Sequence, residues 1–186
     1  GQDYDHDGFY DLQKGQPGDM TNFFWQDYLG SEDYVRIVVA LARKYYAEYG
    51  GTKPLKLFIN DYNLESDWDD NKKLKSLIDW IRIWESDGVT KIDGIGTQMH
   101  ISYYENPATQ ASKEKHVVKM LELMAATGKM VKISELDMGY VNNAIDPKTG
   151  AEIIDVNLIA WENVLQIRSL VAALFLVSGL FIFVGL

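Results

Sequence analysis

Two carboxylates stand two residues apart at the end of the apolar run Lys132-Ile133-Ser134-Glu135-Leu136-Asp137. A strand alternates faces with period two, so Glu135 and Asp137 point the same way. Same-facing acids at a strand end suit acid/base or nucleophilic carboxylate chemistry better than packing. Glu135 could act as nucleophile or general base. His100 could hydrogen-bond Glu135 and respond to its charge, while Asp137 could orient His100 and hold its tautomer. The bland alternative makes His100 a satisfied core histidine and Glu135 a salt-bridge partner.

These residues need elements that bring them together. Leu57-Phe58-Ile59-Asn60-Asp61-Tyr62-Asn63 and Ile95-Gly96-Thr97-Gln98-Met99-His100 also begin apolar and finish polar. The three segments recur at about 37-residue spacing, with helical patterns between them. That is the rhythm of repeated βαβ units and an α/β fold with parallel strands. Parallel strands place their C-terminal ends on one face, where barrels of this type carry their active sites. Glu135, Asp137, Gln98, His100, Tyr62 and Asn63 are therefore expected to converge.

Strands are expected over about 55–60, 93–99 and 130–136. A helix capped by Ser31 should run to about Tyr49, with Val35, Val38, Val39, Ala42, Tyr45, Tyr46 and Tyr49 as its apolar stripe. A second helix, about Asp70–Ser86, carries Leu74, Leu77, Ile78, Ile81 and Trp84 on one face. A third, about Ser112–Thr127, buries Val117, Val118, Leu121 and Met124. Gly50, Gly88 and Gly128 end the three. Residues 1–20 read as a loop, and 139–155 as a surface loop or small hairpin. Asp3-x-Asp5-x-Asp7-Gly8 opens like a calcium-binding loop, but its twelfth position is Lys14 instead of an acid. The competing reading is a solvated acidic loop.

The chain has 186 residues, enough for one core but short of the about 250 that a complete eight-fold β/α barrel needs. A net charge of −9 argues against nucleic acid or an anionic membrane as main partner. Without cysteine, thiolate sites, disulfides and cysteine nucleophiles are excluded. Five Trp and eleven Tyr are a generous supply of faces on which sugars stack, although core packing uses them too. The chain starts at Gly1 with neither initiator Met nor signal-peptide pattern, which reads as a processed chain or a fragment.

Together, the three strand segments closely resemble the fifth, sixth and seventh strands of glycoside hydrolase family 10. That family consists mainly of retaining endo-1,4-β-xylanases on a (β/α)8 TIM barrel. Phe23-Phe24-Trp25-Gln26-Asp27-Tyr28-Leu29-Gly30 looks like the segment after the family's fourth strand. The resemblance covers about residues 20–140. It implies that Glu135 is the catalytic nucleophile, that His100 hydrogen-bonds it, and that Asp137 supports this histidine. It implies that Gln98 sits beside the xylose next to the scissile bond, and that Tyr62 and Asn63 line the cleft. Asn60 and Asp61 would brace the strand end. Xylan or xylo-oligosaccharide is the implied substrate, no metal or organic cofactor is required, and the location is secreted, periplasmic or cell-surface.

Two family features are missing from the sequence. The acid/base glutamate in a Trp-Asp-x-x-Asn-Glu motif has no counterpart, and Asp137 cannot replace it, because it neighbours the nucleophile on one strand. The eighth strand and its tryptophans are also absent. The expectation is a partial family 10 catalytic domain over residues 1–160, holding half of the catalytic pair, with a hydrophobic tail over 161–186. The alternative is a non-catalytic xylan-binding remnant. From Leu170 to Leu186 the tail has no charged residue. It reads as a membrane anchor, as non-native sequence from a frame error or truncated gene, or as a buried helix. A membrane partner is implied only if the tail is genuine. An open three-strand piece should expose apolar edges and associate.

Overall fold

The computed structural model describes residues 2–4, 9–15, 21–145 and 152–155. In chain order the elements are β1 (Gln2–Tyr4), β2 (Tyr10–Leu12), α1 (Trp25–Leu29), α2 (Asp33–Glu48), β3 (Phe58–Tyr62), α3 (Lys72–Glu85), β4 (Gly94–Tyr104), α4 (Pro107–Ala126), β5 (Met130–Ile145) and β6 (Glu152–Asp155). β3, β4 and β5 are parallel neighbours, joined by α3 and α4 as crossovers, and β6 adds antiparallel to β5. This is the expected α/β arrangement of parallel strands alternating with helices.

The core forms where both crossover helices meet the sheet. Leu74, Leu77, Ile81 and Trp84 of α3 recur at helical spacing and are all buried. They pack in one cluster with Ile95 and Met99 of β4 and Met120 and Met124 of α4. Each such aliphatic side chain contributes roughly 1.5–3 kcal/mol by leaving water. Arg36 of α2 ties the outer layer on, donating from Nε and Nη2 to the carbonyls of Trp84 and Ile83 at 3.1 and 2.7 Å. Those carbonyls belong to the last turn of α3, where the helical ladder runs out, and that of Ile83 also accepts the Ser86 N–H and hydroxyl at 3.1 and 2.7 Å.

Several boundaries differ from the sequence expectation. α4 starts at Pro107, not Ser112, because Asn106 caps it: its Oδ1 accepts from the N–H groups of Ala108 and Thr109 at 3.0 and 3.1 Å. Asparagine followed by proline is a helix-start signal that outweighs the weak apolar periodicity of 107–111. Ser31 does not cap α2. Glu32 holds that position without a side-chain bond, and the Ser31 carbonyl instead accepts Trp84 Nε1 at 3.1 Å. β4 and β5 run on past the expected ends to Tyr104 and Ile145: they pair with each other from Gly94↔Met130 to Tyr104↔Val141, and beyond Val141 β5 pairs with β6 at Ile145↔Glu152. The 139–155 region is the expected hairpin in that β6 returns along β5.

The expected loop over 1–20 contains a β1–β2 hairpin. Tyr10 and Leu12 are buried on α3, with Tyr10 N–H donating to Ser76 Oγ at 3.0 Å and Trp80 Nε1 donating to the Tyr10 carbonyl at 2.9 Å. Three residues of alternation are too few to stand out in sequence. The apolar stripe of α2 is only partly buried. Val35 and Val39 are covered, whereas Val38, Tyr45 and Tyr49 are exposed at 52, 47 and 86%. No described element covers that flank. Of the calcium candidate, Asp5 and Asp7 lie outside the described residues and Asp3 falls in β1. The hydrophobic tail also lies outside them. Among the described residues no helix is long and apolar enough to cross a membrane.

Candidate active site

The register of the three parallel strands builds the site. Tyr62 pairs with Gln98, Gln98 with Glu135, and His100 with Asp137. Two successive same-facing rungs, level with the end of β3, thus carry Tyr62, Gln98 and Glu135 in one row and His100 with Asp137 in the next. Gln98 Nε2 donates to Glu135 Oε1 at 2.9 Å. His100 Nε2 lies 3.4 Å from Glu135 Oε2, and His100 Nδ1 lies 2.8 Å from Asp137 Oδ2. Each oxygen of Glu135 therefore faces a different donor of β4, and Asp137 holds the far side of the imidazole.

The register reaches this state through a bulge. Thr97 pairs with Ile133 but Gln98 pairs with Glu135, so Ser134 is the extra residue. Its hydroxyl lies 2.6 Å from Asn60 Oδ1 and 3.0 Å from the Thr97 carbonyl, tying all three strands together one residue before Glu135. Gly96 makes room for this tie, since a Cβ there would sit 2.4 Å from Asn60 Oδ1.

The cluster is open to solvent, with side-chain exposures of 44% for His100, 52% for Glu135 and 68% for Asp137. His100 is held above its ordinary 6.5, chiefly by the hydrogen bond with Asp137. Partial desolvation opposes this, and the charges of Asp137, Glu135 and Glu65 add to it. Tyr62 exposes 43% of its surface and its ring lies 3.7 Å below Lys73 Nζ. Asn63 turns the chain out of β3 in the left-handed region, at φ 55°. Tyr62 ends β3 and Asn63 follows it, whereas Gln98, His100, Glu135 and Asp137 lie within β4 and β5, which the sequence expectation had ended here and which continue to Tyr104 and Ile145.

Three supporting residues were not read from the sequence. Lys73, buried in α3, donates to Asp61 Oδ1 at 3.1 Å and to the Tyr62 carbonyl at 2.9 Å, fixing the end of β3. Asn71, also buried, donates from Nδ2 to the carbonyls of Leu64 and His116 at 2.9 and 3.0 Å and pins the β3–α3 loop to α4. Ser134 forms the bulge. None had a sequence signal: lysine and asparagine near a helix start ordinarily mark solvent, and a bulge is visible only once two strands are paired. Among the described residues no cluster of three His, Asp or Glu could hold a metal ion.

A parallel β/α sheet thus carries a carboxylate–histidine–carboxylate set on one face of two neighbouring strands. The chain belongs to Glycosyl hydrolase family 10, whose profile matches residues 9–169. It is 31% identical over 126 residues to endo-1,4-beta-xylanase A of Thermoanaerobacterium saccharolyticum, covering 68% of this chain and 9% of that protein. It is 32% identical over 127 residues to the thermostable celloxylanase of Thermoclostridium stercorarium, covering 68% and 28%. Among solved structures it resembles TsXylA, an intracellular xylanase of T. saccharolyticum, in a complex with xylotriose. There the identity is 30%, the coverage 66% and 32%, and the TM-score 0.48. The chain thus spans less than a third of the length of these relatives.

One expectation is corrected here. A secreted, periplasmic or cell-surface location rested on the premise that family members meet their polymer outside the cell. TsXylA is an intracellular xylanase, so family membership does not place this chain outside. Physically, the premise holds for polymeric xylan and fails for short oligosaccharides.

Proposed function

We propose that the chain carries the nucleophile half of a retaining endo-1,4-β-xylanase site. Glu135 attacks the anomeric carbon of a bound xylosyl unit and forms a glycosyl-enzyme intermediate. His100 and Gln98 each hold one oxygen of Glu135, and Asp137 fixes the imidazole that faces it. Tyr62 and Asn63 line the cleft beside this centre. The observation that carries the reading is the two-sided grip on Glu135, at 2.9 Å from Gln98 and 3.4 Å from His100. A carboxylate placed only for a salt bridge would not need a donor on each oxygen and a second acid behind the histidine.

A retaining glycosidase needs a second carboxyl about 5–5.5 Å from the nucleophile, acting first as acid and then as base. Asp137 is engaged with His100 and shares the strand of Glu135, so it does not fill this role. The acid/base glutamate comes from barrel residues that this chain does not contain, and the chain by itself does not turn xylan over. The substrate is xylan or a xylo-oligosaccharide, in keeping with the family and with the xylotriose and xylotetraose bound by solved relatives.

The test uses a substrate that needs no general acid: a dinitrophenyl 2-deoxy-2-fluoro-xylobioside. Its leaving group departs unassisted, and its fluorine slows hydrolysis of the intermediate. The full chain should gain the mass of one fluoroxylobiosyl group, mapped to the peptide carrying Glu135, and Glu135→Gln should gain none. Labelling at another residue would contradict the assignment. Xylotetraose binding without any labelling would favour the non-catalytic, xylan-binding remnant.

A further inference from the structure

β3 stops one rung short of His100. Tyr62 pairs with Gln98, so Leu64 would stand opposite His100 had the strand continued. Asn63 instead turns the chain out in the left-handed region, and the loop that follows carries Glu65 to a cavity that His100 also lines. β4 lies between β3 and β5 in the sheet. Glu65 therefore reaches this cavity from the β3 side, while Glu135 and Asp137 meet the imidazole from the β5 side.

Glu65 is only 9% exposed, and its Oε2 has no hydrogen-bond partner among the described residues. Burial pushes its carboxyl up, against the pull of its own backbone N–H and of the His100, Lys113 and Lys73 charges. Both lysines are bonded to other acids, Lys113 to Asp67 at 2.6 Å and Lys73 to Asp61 at 3.1 Å. Glu114 of α4, the other acid lining the cavity, accepts from Gln110 at 2.8 Å. A buried carboxyl with an open oxygen is costly to the fold, and such groups gather where their charge is used.

The use lies in the charge balance around His100. Three acids surround its ring: Asp137 at 2.8 Å from Nδ1, Glu135 at 3.4 Å from Nε2, and Glu65 beyond. When Glu135 bonds to the anomeric carbon, the bond to the leaving group breaks and its electron pair departs with the leaving oxygen. The Glu135 carboxylate becomes a neutral ester, so the imidazole loses the charge that faced Nε2. A sugar seated there also excludes water, which strengthens the charges that remain.

We propose that Glu65 is a positioning residue that acts through His100: its buried carboxylate stands in for the Glu135 charge while the glycosyl-enzyme lasts. The imidazole then stays protonated and ready to receive the Glu135 carboxylate when water releases the sugar. This rests on the nucleophile role of Glu135 stated above.

NMR titration of the His100 ring and of the Glu65 carboxyl carbon tests this in the full 186-residue chain, free and carrying the fluoroxylobiosyl group on Glu135. In the free chain Glu65→Gln should lower the His100 midpoint, by less than Glu135→Gln does, in line with the order of the charges acting on the ring. In the labelled chain the same substitution should lower it further, because one acid fewer remains and water is excluded. Glu65→Asp should restore part of the shift in both states. The reciprocal effect is a rise of the Glu65 midpoint in His100→Ala. That variant removes only exposed pairs, so it remains informative should Glu65→Gln fold poorly. A Glu65 that served only the fold would change the urea midpoint and move neither titration, which would overturn the proposal. So would an effect of Glu65→Gln no larger in the labelled chain than in the free one. If Glu135 takes the label and these shifts are missing, the nucleophile reading stands and the Glu65 assignment falls. If Glu135 takes no label, the nucleophile reading fails and the role of Glu65 in the intermediate falls with it.

Discussion

Two charged groups of residues stand on neighbouring strands of the same sheet and behave differently. Lys73 and Asp61, at the end of β3, form an ion pair whose side chains are 5% and 9% exposed. His100, Glu135 and Asp137, within β4 and β5, form another whose side chains are 44, 52 and 68% exposed. The first pair has its bonds filled by backbone and neighbours: Asp61 Oδ1 also accepts the Tyr62 N–H at 2.9 Å, and Lys73 also reaches the Tyr62 carbonyl. The second set keeps one face turned to solvent. The charges of this sheet are thus divided by burial into a pair that braces the scaffold and a set left open to solvent.

The difference can be broken from the buried side first. Lys73→Met should strand the Asp61 charge and cost about 3–5 kcal/mol of unfolding free energy, read by urea denaturation. His100→Ala should change the same quantity by no more than about 0.5 kcal/mol, because its pairs are exposed. Equal losses in the two variants would erase the distinction. Gly96→Ala ranks next: its Cβ would collide with Asn60 Oδ1 and loosen the Ser134 bulge, at a cost of about 1–3 kcal/mol. The smallest effect on stability belongs to the uncovered flank of α2. Tyr45→Lys should leave the urea midpoint within about 0.5 kcal/mol of wild type and reduce self-association in sedimentation velocity. Unchanged association would mean that the flank is not the adhesive surface.

The catalytic-looking set was legible because chemistry and periodicity coincided in it. Glu135 and Asp137, like Gln98 and His100, are two residues apart, and 37 residues separate the two pairs, the offset that the register takes after the Ser134 bulge. The α3 face was legible for the same reason, since Leu74, Leu77, Ile81 and Trp84 repeat at one period. What stayed hidden depends on pairing or on contacts distant in sequence. The Ser134 bulge shows only in the register, and the lock by Asn71 only when α4 lies beside the loop. The Tyr10 hairpin was hidden because its alternation is three residues long. The fate of Val38 and Tyr45 depends on what covers α2, which its own sequence pattern does not state.

The most direct measurement of the open charge set is the NMR titration of the His100 ring. A raised folded pKa stabilises the protonated form. The stability it adds is fully present below 6.5 and disappears as pH rises through the folded value. The midpoint should lie above 6.5 in the wild type. It should fall most in Asp137→Asn, where the hydrogen-bonded charge is lost, and less in Glu135→Gln. A wild-type midpoint at or below 6.5, or one that neither substitution moves, would contradict the coupling of Glu135, His100 and Asp137 on which the account rests.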